Sequence, residues 1–170
     1  DILKTLGLIK NKTYNHAAAL LADSNLYPGI DIVRFGSSIN KMLDRSTTEK
    51  VSILTQFETA IEKFKLHLCF EQIEGTERKT VEKIPQEAFR EAIANALIHR
   101  TWDIEARIRI SIFSDRVEII SPGGLPSGLS EEEYLSGRVS VLRNPILAEV
   151  FYRLGYIEKF GTGVFRIKEA

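Results

Sequence analysis

The chain has 170 residues, 44% of them apolar, with Lys plus Arg equal to Asp plus Glu at 23 each. That composition supports a real core and argues against disorder. The charge balances locally as well, nine of each sign in residues 1–74 and fourteen in 75–170, which gives no support to strong nonspecific nucleic-acid binding. A single cysteine, Cys69, excludes an internal disulfide, and His16, His67 and His99 are too scattered for metal-ligand spacing. No apolar run approaches a membrane span and no signal peptide is visible, so a cytoplasmic protein with no membrane partner is expected. The chain starts in mid-pattern without an initiator Met and stops soon after a glycine motif, as a fragment would.

In chain order, Ile2 to Leu8 reads as a short helix ending near Gly7, and Asn15 can cap a second helix over His16 to Ala22. Tyr27-Pro-Gly29 signals a turn. Ile30 to Phe35 alternates as a strand. Gly36 to Arg45 reads as a loop, and Ser46-Thr-Thr-Glu49 as a capping box. Behind it Val51, Leu54, Phe57, Ile61, Phe64 and Leu68 step by three and four, the longest amphipathic helix. Cys69 to Ile73 and Arg78 to Lys83 can pair around a turn at Gly75.

Ile84 to His99 is the stretch around which the rest is organised. Pro85 suits a first helical position, and Ala88, Phe89, Ala92, Ile93, Ala96 and Leu97 cover one side. Glu91, Asn95 and His99 are four apart and form one row along the border of that apolar face. Such a row either looks into a cleft or is the solvated margin of a core face. His99 and Arg100 close the helix, where a cation complements the dipole. Ala106, Ile108, Ile110 and Ile112 then alternate with polar residues. Ser114-Asp115 turns the chain, and Val117 and Ile119 begin a return strand. Pro122-Gly-Gly and Pro126 break regular structure. Ser130-Glu-Glu-Glu133 caps a short helix, and Asn144-Pro145 opens another over Ile146 to Leu154. Gly161-Thr-Gly163 opens a last helix.

Glu91-x-x-x-Asn95 on a helix, a hairpin from Arg107 to Ile120, Ser121-Pro-Gly-Gly-Leu-Pro126 and Gly161-Thr-Gly-Val164, in that order, resemble the ATP-binding domain of the gyrase, histidine-kinase and MutL superfamily. Glu91-Ala-Ile-Ala-Asn-Ala-Leu-Ile-His-Arg100, Arg143-Asn-Pro145 and Leu154-Gly-Tyr-Ile-Glu158 narrow the resemblance. It points to RecG-related proteins and bacterial transcriptional regulators that carry a Schlafen/AlbA-like DNA-binding domain ahead of the ATPase-like one.

The resemblance implies an α+β chain with the tail of an AlbA-like unit and a connecting helix over 1–68, and a GHKL-type helix-on-sheet sandwich over 69–170, truncated at its end. It implies ATP and Mg²⁺ as cofactors. Asn95 is then the metal ligand, Glu91 the catalytic base, and His99, Gly123, Gly124, Arg143, Gly161, Thr162 and Gly163 complete the nucleotide site. The implied function is a nucleotide-responsive domain and at most a weak Mg-dependent ATPase. DNA is contacted through the full-length protein, and a homo-oligomer is left open. Ile120 or Ser121 stands where the superfamily has its adenine-reading aspartate, which favours the alternative of a scaffold without nucleotide chemistry. No Gly-x-x-x-x-Gly-Lys-Ser/Thr loop exists, so a helicase motor is not expected.

Overall fold

The structure, a computed structural model, describes residues 2–136 and 141–157. In order these form α1 (Ile2–Thr5), β1 (Ile9–Lys10), β2 (Thr13–Tyr14), α2 (His16–Leu21), β3 (Ile30–Phe35), β4 (Met42–Thr48), α3 (Ile53–Leu68), β5 (Cys69–Glu74), β6 (Glu77–Glu82), α4 (Gln86–Ile98), β7 (Ile108–Ile112), β8 (Val117–Ile120), α5 (Glu131–Ser136) and α6 (Pro145–Arg153). The expected α+β class is the one observed.

A four-stranded mixed sheet in the order β4-β3-β7-β8 organises the chain. β3 pairs antiparallel with β4 and parallel with β7, and β7 returns antiparallel into β8. Strand alternation gives the sheet two unlike faces. Ile30, Ile32, Ile108, Ile110 and Ile112 are buried on one. On the other, Asp31 accepts from Arg45 Nη2 at 2.7 Å and from Thr47 Oγ1 at 2.8 Å.

The apolar stripes of three helices share a core with the buried sheet face. α3 contributes Ile53, Phe57, Ala60, Phe64 and Leu68, α4 contributes Phe89, Ile93 and Leu97, and α6 contributes Leu147 and Phe151. Rings lock the layer: Phe64 lies 4.8 Å from Phe89, and Phe57 lies 5.6 Å from Phe151. Burying one such ring stabilises by roughly 1.5–3 kcal/mol.

Two expectations change. Residues 42–48 are strand β4 and no part of a loop. Being an edge strand with polar side chains in both directions, it carries no alternation to read. The capping box at Ser46 does not form either, because Thr47 hydrogen-bonds Asp31 across the sheet. The cap of α3 is Ser52, whose Oγ accepts from the Leu54 amide at 3.3 Å. β3, from the proposed AlbA-like part, is hydrogen-bonded to β7 of the ATPase-like part, and one core spans both.

β5 and β6 form a separate two-stranded arm between α3 and α4, turning at Gly75, whose φ of +64° suits glycine. No described helix is long and apolar enough to cross a membrane.

Candidate functional site

Helix α4 ends in a dense set of hydrogen bonds that arise from distant parts of the chain. The last carbonyls of a helix lack intrahelical donors. Here Ser121 Oγ donates to Ala96 O at 2.7 Å, Asn144 Nδ2 to Ile98 O at 2.6 Å and Arg100 O at 3.0 Å, and Arg143 Nη1 to His99 O at 2.6 Å. Arg143 Nη2 donates to Gly124 O at 2.7 Å. Arg143 thus ties the end of α4 to the Gly123-Gly124 turn, and the Thr101 amide reinforces this by donating to Pro122 O at 3.0 Å.

The two glycines differ in why they are glycines. Gly123 has φ +108°, and a Cβ there would lie 2.1 Å from Thr101 Oγ1. The fold alone therefore demands it. At Gly124 φ is ordinary and a Cβ would meet nothing within 4 Å. Neither packing nor backbone conformation requires glycine there, so its bare backbone is open to approach.

One turn and two turns back from His99 on the same row lie Asn95 and Glu91, both half-buried. Asn95 Nδ2 donates to Glu91 Oε1 at 3.3 Å. With the amide nitrogen committed to the carboxylate, Asn95 Oδ1 is the atom of this side chain that can act as a neutral oxygen ligand. No cluster of three or more His, Cys, Asp or Glu poised for a metal occurs among the described residues. A magnesium ion does not need one, since it takes one or two protein oxygens together with phosphate oxygens.

The structure therefore brings the predicted residues together in two groups, Glu91 with Asn95, and His99 with Arg143 and Gly124, joined along one helix. Arg143 spends its donors on two carbonyls. Asn144 sits at the N-cap position of α6 without capping it, and serves α4 instead. Gly161, Thr162 and Gly163 lie outside the described residues. His99 is not the helix-end cation that its position suggests. Burial, then the neighbouring Arg143 charge, pushes its pKa below the ordinary 6.5, so the imidazole is neutral at neutral pH.

That shift has a sign. The unfolded chain takes up a proton at His99 as pH falls through about 6.5, while the folded chain resists. Stability is unaffected by this group above 6.5 and falls as pH drops below it. Thermal melts of the wild type should lose more stability between about pH 7.5 and 5.5 than melts of His99→Gln. Equal losses would show that His99 titrates as freely folded as unfolded.

Arg100 is the residue that sequence reasoning missed. Its side chain is 0% exposed and has no carboxylate partner among the described residues. Nη1 donates to Pro28 O at 3.1 Å and Gly29 O at 3.4 Å, and Nη2 to Ile104 O at 3.2 Å and to Ala106 O. The guanidinium also lies 4.5 Å from the centre of the Trp102 ring. Burial lowers its pKa to about 10, so it stays charged at neutral pH. The signal for it was an arginine two positions after the apolar Ala96-Leu97-Ile98 run, with Trp102 two residues on and no acid beside it.

On the adenine side, Ile120 is 49% exposed at the sheet edge and the Ser121 hydroxyl is committed to Ala96 O. The hairpin acids are engaged as well. Asp115 and Glu118 pair with Arg116 at 3.1 and 2.7 Å.

Residues 105–170 match the family described as "Putative ATP-dependent DNA helicase recG C-terminal". The matched stretch holds the hairpin, the Gly123-Gly124 turn and Arg143, and begins after α4. Among solved structures, the DIP2311 protein from Corynebacterium diphtheriae is similar over 98% of this chain, at 29% identity and a TM-score of 0.80. The chain spans 34% of that protein's length. No curated protein matches. The latter part of the chain thus resembles a RecG-related, ATPase-like domain.

Proposed function

We propose that this chain is an ATP-binding-type, nucleotide-responsive domain of a RecG-related transcriptional regulator. The observation that carries the reading is the Arg143 bridge. Arg143, within the stretch that matches the RecG-related family, fixes the His99 end of α4, the helix that carries Glu91 and Asn95, against the glycine turn. The residues present fit the phosphate side of a magnesium nucleotide: a neutral oxygen at Asn95, a half-buried carboxylate beside it, and open backbone at Gly124. They do not supply an adenine-reading carboxylate at residue 120 or 121.

Bound Mg-ATP would supply a phosphoanhydride and a cation that withdraws charge from it. Asn95 Oδ1 would hold that cation. Glu91, steadied by the Asn95 amide, would orient water and accept its proton. The carbonyl-bound Arg143 holds the helix end in place. A switch needs only different affinity in two conformations, so turnover can be very slow. DNA contact belongs to the whole protein, since neither half of this chain is basic. The rival reading, a scaffold without nucleotide chemistry, draws on the missing carboxylate.

Competition between ATP and GTP tests the site's chemistry. A site that hydrogen-bonds a substrate group rejects an analogue lacking it by 10⁴–10⁵, whereas a site without such a reader discriminates by about 10²-fold or less. Affinities for Mg-ATP and Mg-GTP within about tenfold of each other are expected. Failure of both to bind at millimolar concentration would replace this reading with the scaffold.

A further inference from the structure

The polar face of the sheet holds a cavity that the nucleotide site does not use. Its volume is about 880 Å³, within the usual range of small-molecule pockets. It lies on the face opposite the core that α4 packs into. The sheet is its floor. There Arg109 of β7 stands in register between Asp31 of β3 and Ile120 of β8, and all three line the cavity.

The apolar part of the lining is held in place from behind. The Tyr27 ring meets Trp102 edge to face, with ring centres 5.8 Å apart, and the Tyr27 hydroxyl lies 2.9 Å from His16 Nδ1. Pro28 O accepts from Arg100 Nη1 at 3.1 Å, and Pro122 O from the Thr101 amide at 3.0 Å. A cavity whose walls are fixed before a ligand arrives saves the cost of ordering them.

The charges of the lining do not cancel. Asp31 spends both oxygens on Arg45 and Thr47. Glu49 Oε2 takes Arg107 Nη2 at 2.5 Å and Nε at 2.6 Å. Among the described residues, no ion pair or side-chain hydrogen bond engages the Arg109 guanidinium, the Lys50 ammonium or the Glu105 carboxylate. Two cations and one anion leave the cavity with one net positive charge. Lys50 also holds φ at +60°, pinned by its amide on Tyr27 O at 3.2 Å and by the Asn25 amide on its own carbonyl at 3.0 Å. Non-glycine residues kept in that region gather at ligand sites.

We propose that this cavity binds a small organic monoanion, a carboxylate carried on a flat apolar body. The planar fork of Arg109 matches a carboxylate, and the body lies against Tyr27, Pro28 and Pro122. One net positive charge suits a carboxylate better than a phosphate dianion, and Glu105 repels a second negative charge. The site shares no side chain with Glu91, Asn95 or Arg143, so its test stands apart from nucleotide binding.

Titration with para-fluorobenzoate, followed by fluorine NMR of the probe and by backbone amide shifts, tests it. A Kd of about 1 mM or below is expected, with shifts at Tyr27, Asp31 and Arg109 and none at Asn95. The uncharged para-fluorobenzamide should bind at least about tenfold more weakly, and so should para-fluorobenzoate to Arg109→Gln. Arg109→Lys should keep part of the affinity, and Asn95→Ala all of it. Arg109 is exposed, so an unchanged melt of Arg109→Gln shows that the fold is intact. No binding of para-fluorobenzoate at about 10 mM, equal binding of the amide, or full affinity in Arg109→Gln would each overturn the proposal. So would acetate binding as tightly as the aromatic acid, or phenyl phosphate binding more tightly.

Discussion

Replacing Arg100 with leucine is expected to destabilise the chain by about 4 kcal/mol, the largest single-residue loss outside the aromatic core. Arg100 is a charged side chain with no exposed surface, and it is held by four carbonyls instead of a carboxylate. Those carbonyls come from Pro28 and Gly29, just before β3, and from Ile104 and Ala106, just before β7. The guanidinium therefore joins the entries of the two parallel strands beneath the end of α4. Leucine fills much of the volume and leaves Pro28 O and Ala106 O without that donor, at about 1–3 kcal/mol for each that stays buried, while Gly29 O keeps the Ile108 amide and Ile104 O the Ala106 amide. Ile104 is partly exposed, so some acceptors recover water, and the total falls short of the simple sum. Arg100→Lys should lose about half as much, because one ammonium with three donors cannot reach two pairs of carbonyls at once. Urea unfolding monitored by circular dichroism measures both. A loss below about 1 kcal/mol for the leucine variant would mean that the carbonyls find other donors.

The same residue shows what the sequence could and could not convey. Elements with a one-sided apolar stripe were legible. α3, α4, β3 and β7 lie where periodicity puts them, because burial of one face is written into residue spacing. Chemistry that closes within a few residues was legible too. The capping box at Ser130 forms, with Glu133 Oε2 accepting from the Ser130 amide at 2.9 Å and the Glu133 amide donating to Ser130 Oγ at 3.2 Å. The same pattern at Ser46 fails, and nothing local distinguishes the two. What decides is Asp31 on the neighbouring strand, which takes the Thr47 hydroxyl.

Long-range polar contacts were illegible for the same reason. Arg143 and Asn144 reach carbonyls more than forty positions away. Spacing showed Asn144 as a cap, and it is a cap for a different helix. Gly123 was legible as a turn, but the steric demand of Thr101 that fixes it appears only in three dimensions. The shared sheet was hidden as well. A strand whose two neighbours come from opposite sides of a supposed boundary carries no mark of that in its own residues.

Titration calorimetry of Mg-ATP against the wild type, Asn95→Ala and Glu91→Ala, each with and without EDTA, tests the nucleotide site most directly. The Asn95 side chain is half-buried and its hydrogen bond to Glu91 is long at 3.3 Å. Alanine is also the best helix former, so the fold should lose under about 1 kcal/mol. Any large loss of binding then reports on ligation alone. Wild type is expected to bind in a magnesium-dependent manner. Asn95→Ala should bind at least about a hundredfold more weakly, equivalent to about 2.7 kcal/mol, and lose the magnesium dependence. Glu91→Ala should bind as the wild type does and abolish whatever slow hydrolysis the wild type shows. Wild type that binds no nucleotide, or an Asn95→Ala variant with unchanged magnesium-dependent affinity, would contradict the account.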